Sequence, residues 1–367
     1  MLKITLRIIS LFSVSFFLIS WGSDGHYAIN HKCTESFPAS MNSFLIWADS
    51  LASHGSDADD RKSWDPDESM RHYIDIDAYP EFISSGHIPS TYDSVVSIHG
   101  LTFVEDKGIL PWATMTMYDS LKMSFQQNDW HQAMLHASDL GHYVGDAHMP
   151  LHLTENYNGQ MTGQYGVHSR YESYMVYYFL NYITNYSGET VNQISNVNSY
   201  MFNYIYFNQP YVDSVLAADD YAQNLVGNDN TYPYYQALWG ETQNFTVMLF
   251  HNASHSLAEL IYTAWVEAGS PEMTAGISEP DENISCMITY PNPAFSILNC
   301  SFYLASADAA EIFLSDNSGQ KVFSFINSFS KGNNNKTIDI SRLPVGIYYC
   351  TLKSKDISKS FRICITH

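Results

Sequence analysis

The texture of this chain changes once, close to Ser270, and that break constrains the fold more than any other feature. All seven tryptophans and fourteen of the fifteen histidines precede it. Before it, apolar residues recur at helical spacing. After it come short alternating runs separated by turn signals. Charge changes at the same place: residues 21–270 hold 29 Asp or Glu against 7 Lys or Arg, and residues 271–367 hold 9 against 8. A formal charge of −21 leaves no basic footprint for duplex DNA. Acid combined with histidine suits a domain that holds divalent cations.

The first part is expected to be mainly α. Asn128 is read as the N-cap of a helix carrying Trp130, Met134, Ala137 and Val144, which Pro150 ends. Arg170 to Tyr186 and Leu238 to Trp265 are two further helical stretches. The Tyr- and Asn-rich residues 198–235 are expected to mix short helices with loops. Pro271, Gly276 and Pro280 mark a linker. Segments from Cys286–Tyr290 to Ser360–Ile365 then read as a small all-β sandwich. Lys3 and Arg7 before an apolar Ile8–Ile19, too short to span a bilayer, read as a secretory signal cleaved after Ser20. The expected organisation is a signal peptide over 1–20, a helical domain over 21–270, a linker over 271–284 and a sandwich over 285–367. No C-x-x-C pair occurs, which disfavours thiolate zinc. Cys286, Cys300, Cys350 and Cys364 all fall in the sandwich, where cross-strand disulfides and buried free thiols both stay open.

The strongest local signal is His142-Tyr-Val-Gly-Asp146, followed by His152 just past Pro150. His168-Ser-Arg-Tyr-Glu172 repeats the i, i+4 spacing, which puts both members of a pair on one helical face. Imidazole and carboxylate on a shared face present nitrogen and oxygen ligands to zinc. Upstream stand Trp21-Gly-Ser-Asp-Gly-His26, then Asp57-Ala-Asp59-Asp60, then Arg71-His72-Tyr73-Ile-Asp75. Each is weak by itself. His148 is expected in a supporting or rim position, His251 and His255 at the surface or in packing, and Tyr73 and Asp75 either in the substrate pocket or in a structural role.

Taken in order, these elements resemble the zinc-dependent phospholipase C and S1/P1 nuclease superfamily over roughly residues 21–270. The resemblance implies a helical hydrolase with three zinc ions. It implies that Asp57, His72 and His142 hold one ion, with Asp146 bridging to a neighbour. His152, His168 and Glu172 hold a second. The α-amine and carbonyl of Trp21, with His26 and Asp146, hold a third. Asp57 lies 15 residues before His72, near the family spacing, and is also implied to orient or deprotonate the attacking water; Asp49 and Asp59 remain alternatives. Glu172 looks like the phospholipases, and the Trp21–His26 spacing like the nucleases. The expected function is a secreted, monomeric phospholipase C-like phosphodiesterase that releases phospholipid headgroups. The alternatives are a single-strand nuclease or 3′-nucleotidase, and a non-catalytic metal-stabilised surface binding module. Residues 285–367 resemble the C-terminal sorting domain of type IX secretion cargo, through Tyr290-Pro-Asn-Pro293, the Asp316-Asn-Ser-Gly319 turn and Leu343-Pro-Val-Gly-Ile-Tyr348. That implies contact with the type IX machinery, release or surface attachment, and no transmembrane helix in the mature chain.

Overall fold

A 36-residue helix, Tyr232–Glu267, forms the spine of the first unit. Pro233 sits in its first turn, where a missing N–H costs no helical bond. Leu238, Leu249, Phe250, Leu257, Leu260 and Ile261 are buried along it. Residues 22–227, 230–273, 284–290, 294, 296–304, 307–316, 320–354 and 357–365 are described in this computed structural model. The expected signal peptide and Trp21 lie outside them. The chain divides into two compact units, one ending at Met273 and one beginning at Thr274.

The helices of the first unit wrap the spine. Leu110–Gln127 and Trp130–Ala147 form an antiparallel pair. Between them, Asn128 takes a left-handed φ of 56° and ends the first helix, while the Asp129 side chain accepts from Gln132 N and starts the second. The N-cap is therefore Asp129 rather than Asn128, one residue along, because Asn is well suited to the left-handed C-terminal position. The Tyr- and Asn-rich stretch holds two full helices, Val197–Asn208 and Tyr211–Val226. Val197, Met201, Tyr204 and Ile205 are buried at helical spacing, so burial outweighs modest local propensity.

The second unit contains seven strands among its described residues: β1 (Ile284–Tyr290), β2 (Ile297–Leu304), β3 (Asp308–Asp316), β4 (Lys321–Phe329), β5 (Gly332–Asp339), β6 (Gly346–Ser354) and β7 (Ile357–Ile365). They form two antiparallel sheets, ordered β1-β2-β5 and β4-β3-β6-β7. Ala310, Ile312 and Leu314 of β3 are buried at period two, facing inward as a sandwich strand requires. Cys300 on β2 and Cys350 on β6 are buried free thiols that hydrogen-bond across the core, and that contact holds the Cys350 thiol far above its usual pKa. The side chains of Cys286 and Cys364 lie outside what is described. Among the described residues no helix is long and apolar enough to cross a membrane.

Candidate metal centre

Two glycines set the geometry. On the helix Trp130–Ala147, Gly141 and Gly145 lie one turn apart and immediately precede His142 and Asp146. The helix Gly22–Cys33 packs directly on them. A β-carbon at Gly141 would collide with the side chains of Asn30 and Leu257, and one at Gly145 would sit 3.0 Å from His26 Nδ1. Only hydrogen fits, and the close approach stacks the His26 ring on that of His142 with centroids 3.8 Å apart. The described chain begins beside the same centre, since a β-carbon at Gly22 would stand 3.7 Å from Ser173.

Asp146 occupies the middle. Its Oδ1 lies 3.5 Å from His26 Nε2 and 3.6 Å from His152 Nδ1. Its Oδ2 lies 3.0 Å from His72 Nδ1 and 3.3 Å from His142 Nε2. Burial alone would raise the Asp146 pKa, but the imidazoles of His142 and His152 outweigh it and hold the carboxyl well below its usual range. Burial lowers His142, yet Asp146 and Asp59 push it up to about 9. Glu172 is buried too, and His168 and His152 overcome that burial to keep its pKa low. Protons and a divalent cation are thus competing counter-charges for one set of carboxylates.

Three donor groups result, each with its atoms within 4.8 Å of one another: His26, His142 and Asp146; Asp59, His72 and His142; and His152, His168 and Glu172. The histidines are oriented from behind. His142 Nδ1 donates to the Gly55 carbonyl at 2.7 Å, His152 Nδ1 to the His72 carbonyl at 2.6 Å and His168 Nδ1 to the Tyr157 carbonyl at 3.2 Å. Each therefore keeps Nε2 for the cluster, which is how metal-binding imidazoles are usually held. In the third group His168 Nε2 stands 2.6 Å from Glu172 Oε2, and His152 Nε2 stands 3.5 Å from it. Even so, neither Nε2 and neither Glu172 oxygen, all four buried, has a well-aligned hydrogen bond; they meet as ion pairs. Leaving such atoms unsatisfied costs about 1–3 kcal/mol each. A divalent cation taking their lone pairs removes that cost, and a mixed imidazole–carboxylate set without thiolate fits zinc.

Glu172 reaches this position from a π-helical turn, Arg170–Met175, set between the helices Val167–Ser169 and Val176–Ile183. Widened turns of this kind often carry functional side chains. Arg170 pins it: the guanidinium donates to Asp219 Oδ1 and Oδ2 at 2.9 Å each and to the Tyr165 carbonyl at 2.7 Å.

Asp57 does not join the cluster. Its Oδ2 accepts from His54 Nδ1 at 2.7 Å, and the side chain is 45% exposed. Asp49 is further out, 86% exposed and 3.5 Å from His31. Asp59 takes the place given to Asp57, with Oδ1 3.6 Å from His72 Nδ1 and 3.7 Å from His142 Nε2. The reason is local: both lie on the short helix Asp57–Arg61, and two residues along a helix is a rotation of about 200°. His148 is buried in packing, with Nδ1 bonded to the Val144 carbonyl and its ring against Tyr204. His251 and His255 pair with Glu189 and Glu259. Burial pushes Asp75 up to about 7, and its neighbour Asp77 bonds Thr154 and the Glu155 amide.

Sequence reasoning missed Glu68. It is fully buried, its Oε1 lies 3.3 Å from His72 Nε2, and the same oxygen accepts from Tyr143 Oη at 2.6 Å. Arg61 and Arg71 neutralise it, and Arg61 also reaches Asp139. Burial would raise Glu68, but His72, Tyr143 and Arg61 hold it far below a usual carboxyl. Glu68 precedes His72 by four residues, the same spacing that singled out the other two pairs.

Residues 289–366 match the family described as "Secretion system C-terminal sorting domain". The second unit is a sorting domain. Two solved structures share features with the whole chain. The alpha toxin from Clostridium absonum aligns with TM-score 0.42 and 11% identity, covering 94% of this chain and 98% of that one. The alpha-toxin of Clostridium perfringens avian strain SWCP aligns with TM-score 0.42 and 13% identity, covering 94% and 99%. At those values neither says what this chain acts on. No curated protein matches the chain.

Proposed function

We propose that the helical unit is a zinc-dependent phosphodiesterase of phospholipase C type, exported by way of a cleaved signal peptide and the sorting domain. The observation that carries the reading is the third donor group: two imidazole nitrogens and a carboxylate, buried, mutually close and without well-aligned hydrogen bonds. In this reading Asp59, His72 and His142 hold one ion and His152, His168 and Glu172 a second. His142 has only Nε2 to give, because its Nδ1 serves Gly55, so the group around His26 is completed by Asp146 and the mature N-terminus at Trp21. Asp146 presents a separate oxygen to each side, as a bridge would.

Zinc at these positions supplies Lewis acidity towards phosphate oxygens and lowers the pKa of water towards ~7. The chain's own residues do the rest. Asp59 is 17% exposed, whereas Asp146 and Glu172 are fully buried, so its carboxylate is the one that reaches solvent. It accepts the proton of the water that attacks phosphorus, and the departing alcohol is protonated from solvent. Gly55, through His142, and Glu68, through His72, fix the rings. The −21 charge of the chain weighs against polyanionic nucleic acid and favours the phospholipid reading over the nuclease one. The test is metal analysis of the full-length protein, with hydrolysis of a soluble chromogenic phosphodiester and then of phosphatidylcholine and single-stranded DNA side by side. About three zinc ions and a preference for the lipid are expected. Metal without any hydrolysis would leave a binding module.

A further inference from the structure

The outer face of the segment that carries Glu172 is a stripe of exposed tyrosines. Tyr174, Tyr178 and Tyr182 recur every four residues, with Tyr177 beside them, and they are 51, 45, 68 and 67% exposed respectively. Tyr232, at the start of the spine helix and 48% exposed, extends the stripe, with its ring 5.2 Å from that of Tyr178. Behind them Phe179 stacks on Trp239 at 4.9 Å, so the rings stand on a firm base. Residues 173–185 and 232–240 contain no Asp, Glu, Lys, Arg or His at all. These two charge-free stretches contrast with the acidity of the rest of the domain, and the stripe lies on the segment that supplies Glu172 to the third donor group. The loop before that segment carries Met161 and Tyr165, 68 and 67% exposed, and Arg170 ties Tyr165 to the π-helical turn.

From this placement, and resting on the phosphodiesterase reading above, we infer that the tyrosine stripe is a docking surface for a zwitterionic phospholipid bilayer. Its chemistry selects that occupant. Tyrosine rings enter the boundary between acyl chain and headgroup while their hydroxyls stay in water. Ring faces also attract the quaternary ammonium of choline. Anionic surfaces are repelled by the net acidity of the domain, and residues 173–185 and 232–240 offer no cation to hold phosphate backbones. Docking there brings the Glu172 segment to the bilayer without asking the sorting domain for contacts.

The experiment is sedimentation of the full-length, zinc-loaded protein with phosphatidylcholine vesicles, which reads binding without activity. Tyr177→Ser with Tyr182→Ser is expected to lower the vesicle-bound fraction roughly five- to tenfold. Hydrolysis of the soluble chromogenic ester should stay within about twofold, because neither ring touches the donor groups. Tyr177→Trp with Tyr182→Trp should keep or strengthen binding, and binding should withstand an about tenfold rise in salt. Equal sedimentation of the wild type and the serine pair would overturn the inference. So would a salt-sensitive complex with single-stranded DNA that the serine pair loses, or a wild-type dimer that the serine pair splits. A protein that binds vesicles but hydrolyses no ester would instead count against the enzyme reading and leave the surface standing.

Discussion

The two units bury different things. The core of the sorting domain is Leu298, Phe302, Ile312, Leu314 and Leu352 with a pair of thiols, and it contains no buried histidine or carboxylate among its described residues. The helical unit sinks five histidines, Asp146 and Glu172 to 5% exposure or less in one region. An apolar core is self-sufficient, because its packing is its own driving force. A core with several carboxylates and imidazoles close together keeps its charges only where protons or a cation balance them. The lesson is that one chain combines a unit whose core is apolar with one whose core is built around opposed charges, which protons or, in the proposed reading, divalent cations balance.

Chelation tests that contrast most severely. Binding at a thousandfold excess over Kd contributes about 4 kcal/mol per ion, or roughly 10 °C in a domain of this size. In calorimetry, removing metal should lower the melting of the helical unit by at least that amount and leave the sorting domain's transition in place. A joint shift of both would erase the comparison. Glu172→Ala should come next, removing one ion and at least ~100-fold of the hydrolysis, as measured by metal analysis and turnover. Full metal content in that variant would dissolve the third group.

Smaller effects sharpen the picture. Glu68→Gln keeps the shape of the side chain but loses the charge behind His72, and should weaken metal affinity about 10–100-fold in a chelator competition. Gly141→Ala should cost about 1–3 kcal/mol in denaturant unfolding of the helical unit, because the added methyl meets Asn30 and Leu257. Asp57→Asn is expected to change stability by less than ~1 kcal/mol and leave metal content intact, since it breaks only an exposed pair with His54. Asp59→Asn, in contrast, should lose metal. If the two behave alike, the exchange of Asp57 for Asp59 has no basis.

Which parts of this were legible in the sequence follows from what one-dimensional spacing can encode. The pairs His142–Asp146 and His168–Glu172 share helical faces, and the structure brings all four side chains to one centre. The change at Ser270 separates helix from strand as read, and the seven strands follow in the expected order. Spacing left Asp57 and Asp59 both open, because the choice between them depends on which way a five-residue helix is turned by its surroundings. Glu68 stands at the same spacing from His72, but it lies among Asp65, Asp67 and Arg71, and spacing alone does not tell a buried carboxylate from an exposed one. The helices at Val197 and Tyr211 were hidden by tyrosine and asparagine, whose propensities understate a face that packs well.

The spine helix is the last element of its unit to be synthesised. Until Leu238 to Trp265 emerges, the histidine helix has nothing to pack on at Leu257, and the aromatic residues of earlier helices remain uncovered. A growing chain therefore leaves part of this core uncovered until residue 267 of 367 has been made, and its early apolar faces have to wait for their cover.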